Sequence, residues 1–205
     1  MLSAVLEYWY LSLVFVAVSV LTVFVVFKAY KASAQVGAER KKVIERLKYE
    51  NRTRAAFANL TSELAQAAEV KALFYGVALN IQAGLEKESD MNAAFEKLTT
   101  PQQYIYALYY VLLDGSQKLS EFFKKNGKPL TPIAGEAVHL IFGCKAGELY
   151  NDEYAAFDGD NEDISLITAE ILQKDQAFAT FLEQTNANAL AAGYIKKNLE
   201  NFIRA

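Results

Sequence analysis

Twenty consecutive residues without a charge, from Tyr8 to Phe27, constrain this chain more than any other feature. Seventeen of them are apolar, the exceptions being Ser12, Ser19 and Thr22. A helix of that length covers about 30 Å, the thickness of a bilayer's hydrocarbon layer. The run is rich in Val and Phe, but lipid does not admit an open sheet edge, so length outweighs strand propensity. Trp9 and Tyr10 stand at one end, where rings favour the headgroup level, and Lys28 and Lys31 stand at the other, where they can snorkel. The segment therefore predicts a transmembrane anchor with short flanks over residues 1–34. A buried core helix is one rival. A cleaved signal peptide is another, since Ala32-Ser33-Ala34 has the small-x-small form of a cleavage site. Against the signal peptide, no Lys or Arg precedes the run, and the run exceeds the usual core of about 7–15 residues.

Charge divides the remainder of the chain. Residues 28–54 hold nine basic and three acidic side chains, a net of +6, while the N-terminal flank holds only Glu7. The positive-inside rule then predicts a single-pass protein with its N-terminus outside and residues 28–205 cytoplasmic, in a bacterial inner membrane. Membrane lipid is accordingly an expected partner. The glycosylation tripeptides Asn51-Arg52-Thr53 and Asn59-Leu60-Thr61 would matter only in the opposite orientation. The whole chain nets −3, which leaves −8 for residues 55–205.

Residues 38–71 lack Gly and Pro and are rich in Ala, Glu, Lys and Arg, which predicts a basic helical stalk over 35–71. Asn51 and Arg54 interrupt its partial heptad and argue against a strong coiled coil. Beyond it, apolar residues recur at helical spacing: Phe74, Val77, Ala78, Ile81 and Leu85, then Ile105, Leu108 and Leu112, then Ala134, Val138 and Ile141, then Ile164, Ile167, Ile171 and Phe178, then Tyr194, Ile195 and Leu199. Thr100-Pro101 reads as a helix start, Gly115 as a division, and Asn126-Gly127 with Pro129 and Pro132 as a loop. No clean two-residue alternation occurs. The prediction is an all-α fold: an N-terminal transmembrane helix, a helical stalk, and a compact multi-helix domain of six to eight helices over 72–205.

Catalytic signatures are absent. There is no glycine-rich phosphate loop and no nucleophile elbow. The single Cys excludes a disulfide framework and a thiolate zinc site, and the single His excludes a His-rich metal site. No cofactor and no metal are therefore expected. His139 and Cys144 lie five apart across Gly143, whereas helical neighbours lie three or four apart. A Cys–His pair would also need a third, orienting group.

The acids are more informative. Glu148, Asp152, Glu153, Asp158, Asp160, Glu162 and Asp163 fall within sixteen residues without a Lys or Arg, and Tyr150, Tyr154 and Phe157 interleave with them. As a calcium loop, Asp158–Asp163 fails where the motif needs Gly at its sixth position and Glu at its twelfth, which here are Asp163 and Ala169. A solvated loop with Asp163 capping the next helix, a weak cation site and a surface for a basic partner are the readings left open. Nucleic-acid binding by so acidic a body is not expected.

The stretch 98–157 resembles a bacterial helical family of uncharacterised function whose studied member is a DNA mimic. Thr99–Tyr110 is similar to its aromatic-rich helix. Its signature, roughly N-G-G-F-x-Q-[FY]-[FY] and then a Gly, aligns with Ser116–Phe123 and Gly127. Phe122 and Phe123 match the aromatic pair, the Asn and both glycines are missing, and Glu121 replaces the Gln. The resemblance implies a helical, acidic, protein-binding domain and not an enzyme.

Together these observations predict a membrane-anchored protein-interaction domain, an accessory subunit of a membrane complex, whose acids at 148–163 contact a protein partner. Two other classes stay open: a hydrolytic or transferase enzyme using His139 with nearby carboxylates or Cys144, and a purely structural membrane assembly subunit in which Ser12 and Ser19 share a helix face.

Overall fold

A computed structural model of the chain describes residues 9–157 and 168–203, with side chains of the first helix described at 14–22, 24–25, 27–28 and from 40 onward. Among the described residues there are ten α-helices and no strand. They are α1 (Trp9–Ala56), α2 (Ser62–Ala67), α3 (Val70–Leu85), α4 (Met91–Glu96), α5 (Thr100–Asp114), α6 (Leu119–Lys125), α7 (Leu130–Phe142), α8 (Cys144–Ala156), α9 (Ala169–Gln184) and α10 (Ala187–Lys197), followed by a 3₁₀ turn at Leu199–Asn201. The chain divides into one unit that runs to Tyr49 and another that starts at Glu50.

The first unit corrects the principal expectation. No helix among the described residues is long and apolar enough to cross a membrane. Ser19 and Thr22 turn their hydroxyls back onto the carbonyls of Phe15 and Val18 at 2.8 Å each. The helix then continues unbroken into the charged residues beyond Arg40. The transmembrane helix, the single-pass topology with a cytoplasmic body, the bacterial inner-membrane location, membrane lipid as a partner and the membrane-anchored function all rested on that span and fall with it. Of the expected interfacial residues, Lys28 is exposed with its Nζ 5.3 Å from the Phe24 ring centroid. The side chains of Trp9, Tyr10 and Lys31 lie outside the described residues.

In the second unit local chemistry explains the helix starts. Thr61 accepts from the N–H of Leu64, Glu69 from Lys71 and Ala72, Asp90 from Asn92 and Ala93, Thr168 from Ile171, and Asn186 from Ala189. Each satisfies donors that a helix leaves unpaired in its first turn. At α5 the cap is Thr99, one residue earlier than expected, and Gln102 accepts from its N–H at 3.1 Å. Pro132 does not lie in a loop but in the first turn of α7, where its missing N–H has no partner to lose. Eight described helices, α3 to α10, make up the body from Val70 onward; α4 and α6 are only six or seven residues long, too short for a clear period.

Packing runs through a chain of neighbours, α10–α3–α5–α7–α8–α9, and α10 also closes on α5 and α7. The core is aromatic. Phe74, Phe122, Tyr150 and Phe178 are fully buried, each stabilising the fold by roughly 1.5–3 kcal/mol through lost exposure. Phe57 and Leu60, just beyond α1, belong to the same core. Leu85, Phe95 and Tyr106 form a smaller cluster beside it.

Candidate functional site

Three glycines shape a concavity between α7 and α8. Gly143, at φ +102°, closes α7 and opens α8, a backbone conformation that side chains other than glycine's rarely adopt. The two helices then fold back side by side: a Cβ on Gly147 would collide with His139, and one on Gly135 would lie 3.0 Å from both the Asn151 side chain and the Tyr150 ring. The close approach leaves a shallow cavity of about 470 Å³ lined by Tyr104, Glu136, His139, Leu140, Asn151 and Tyr154, among others.

Within it the Tyr104 hydroxyl donates to Glu136 Oε2 at 3.0 Å. Burial, and then that bond and the charge of Glu136, raise the Tyr104 hydroxyl above the ordinary tyrosine range. The Tyr194 ring lies 6.3 Å from that of Tyr104. Glu136, His139 and Leu140 are exposed. His139 makes no side-chain hydrogen bond among the described residues, so no carboxylate orients it as a base. Cys144 is exposed at the start of α8, past the Gly143 turn. Among the described residues no three His, Cys, Asp or Glu side chains are grouped to hold a metal ion.

The predicted acidic contacts separate into three sets. Glu148 and Asp152 are exposed on α8, with Lys145 the single basic residue of that helix. Glu148 lies three residues before Asn151, so it flanks the cavity on the same side of the helix. Glu153, by contrast, is fully buried. Asp158, Asp160, Glu162 and Asp163 lie outside the described residues, as does any capping by Asp163; the described cap of α9 is Thr168.

Glu153 has a second acid for a neighbour. Asp175 of α9, also buried, accepts from the backbone N–H of Ser120 at 2.9 Å and from its hydroxyl at 2.8 Å. Neither carboxyl oxygen of Glu153 has a well-formed hydrogen bond. Burial first, then the Asp175 charge and the approach of the two carboxyls, push Glu153 up to about 9; the Ser120 N–H and Lys174 pull more weakly the other way. Glu153 is therefore protonated at neutral pH, which is how two acids share one interior. The sequence carried a signal for this position: Glu153 stands three residues after Tyr150 and four before Phe157, on the inward side of α8.

No family model matches this chain, and no curated protein or solved structure matches it.

Proposed function

We propose that the helical body is a protein-interaction domain that receives a basic segment of a partner protein on the α7–α8 face. The observation that carries this reading is the exposed carboxylate of Glu136 in the wall of a cavity shared with Tyr104 and Tyr154, next to a helix, α8, that also exposes Glu148 and Asp152. A Lys or Arg head entering there meets a carboxylate beside aromatic faces, which favours cations. Complementary charge would also speed encounter and select against acidic partners. The resemblance over 98–157 is in keeping with this proposal, since it implies an acidic helical domain that binds proteins.

Titration of the full chain with a lysine- and arginine-rich peptide tests it, read by NMR shifts at two salt concentrations. Shifts should centre on Tyr104, Glu136, Glu148 and Asn151, and binding should weaken with salt. Reversing Glu136, Glu148 and Asp152 to Lys should weaken binding by about tenfold or more, as for several lost charge contacts. Affinity unchanged by the triple reversal would remove the proposal.

A further inference from the structure

A second cavity, of about 370 Å³, lies elsewhere in the body, where α3, α4 and the segment after α1 meet the C-terminal turn. Its walls are mainly apolar, with Phe57, Leu60, Val77, Ile81, Leu98 and Phe202 interrupted by the amides of Asn80, Gln102 and Asn201. Its volume falls within the range of small-molecule pockets, about 300–1,000 Å³. At about 30 Å³ per water-sized unit, it holds roughly a dozen non-hydrogen atoms.

Two features give the cavity an orientation. At its rim Lys97, the exposed residue that ends α4, makes no ion pair among the described residues. Glu88 occupies another part of the rim, in the exposed turn after α3, so an anionic head would be drawn to Lys97 and kept from Glu88. Gly84 also lines the cavity, in the last turn of α3. A Cβ there would meet nothing within 4 Å, although Gly inside a helix is less stable than Ala by roughly 0.5–1 kcal/mol. The position is thus left empty in a segment whose neighbours, Val77, Ile81 and Leu85, all carry apolar bulk.

We infer that this cavity binds a medium-chain carboxylate, a single-chain anionic amphiphile of about the size of decanoate. The chain lies along Val77, Ile81 and Leu98, and the carboxylate pairs with Lys97. Each methylene moved from water into the cavity contributes up to about 0.8 kcal/mol, so the chain supplies the affinity and the rim lysine the polarity preference. This site is independent of the α7–α8 face.

The test is calorimetric titration of the full chain with decanoate, decanol and decylamine. Decanoate should bind best and decylamine worst. Gly84→Phe fills the cavity and should reduce decanoate affinity by about tenfold or more, the loss of room for two methylenes. Lys97→Glu should weaken decanoate by roughly two- to fivefold, the scale of an exposed ion pair, while leaving decanol unchanged. In the unaltered protein, decanoate should shift the methyl signals of Val77, Ile81 and Leu98 and leave those of Leu172 and Leu190 in place, a readout that does not depend on any variant folding. No binding, preference for decylamine, affinity untouched by a folded Gly84→Phe, or shifts elsewhere in the body would each overturn the inference.

Discussion

Asp175 takes two hydrogen bonds from a residue 55 positions earlier in the chain, the N–H and the hydroxyl of Ser120, at 2.9 and 2.8 Å. Lys118, the residue that precedes α6, offers no side-chain cap, so a carboxylate from α9 does that work across the core. The bond joins α6 to α9 through a buried charge, and Glu153 of α8 stands beside it holding a proton.

Removing the cap should be costly. Asp175→Ala leaves the Ser120 N–H and hydroxyl buried without an acceptor, and should destabilise the chain by about 2–4 kcal/mol in urea unfolding. Asp175→Asn keeps one acceptor and should lose roughly half as much. Equal losses for the two variants would show that the hydrogen bonds are not what matters there.

Protonation of Glu153 makes stability depend on pH. Its folded pKa of about 9 lies above its ordinary 4.5, so between those values the folded chain binds more protons than the unfolded one. This group's contribution is fully present below about pH 4.5 and declines as pH rises toward 9. Glu153→Gln removes the titration. At pH 8 the Gln chain should be the more stable by about 1–3 kcal/mol, because folding no longer has to hold a proton that the unfolded Glu153 releases. Urea midpoints at pH 5, 7 and 9 check this; parallel slopes in the two proteins would refute it.

Two helical glycines should respond to alanine with opposite signs. At Gly76 an added Cβ runs into the Phe57 ring, so Gly76→Ala should destabilise by about 1–3 kcal/mol. At Gly193, within α10, a Cβ meets nothing within 4 Å, so Gly193→Ala should stabilise by about 0.5–1 kcal/mol. Thermal unfolding of both variants, and of Gly76→Ala combined with Phe57→Ala, decides it. Relief of the Gly76 penalty in the double variant is the expected coupling.

Two tyrosine hydroxyls should differ in the same way. Tyr150 donates to the Thr131 carbonyl at 2.7 Å inside the core, and Tyr150→Phe removes that buried bond, a loss of about 1–2 kcal/mol. Tyr104 donates to the exposed Glu136, which water can serve equally well, so Tyr104→Phe should stay within about 0.5 kcal/mol. Comparable losses at both positions would contradict the burial argument.

The helical spacing of apolar residues was enough to place the body in the all-α class and to identify much of its core. Ile105, Leu108, Val138, Phe178 and Ile195 recur at that spacing and are buried, because a helix must turn its apolar stripe inward whatever it packs against. The same local logic identified Gly115, Thr100-Pro101 and Asn126-Gly127 as places where the chain changes direction. Tertiary structure decided the rest. Local composition put Glu153 among its exposed acidic neighbours; packing against α9 took it inside, beside Asp175, and that burial, with the neighbouring acid, explains its proton. His139 and Cys144 looked like a pair by proximity, but Gly143 sends them onto separate helices. Hydropathy along one segment suggested a span, but no helix among the described residues is long and apolar enough to cross a membrane. Both cavities lie between side chains of different helices, so no periodicity within a single helix could announce them.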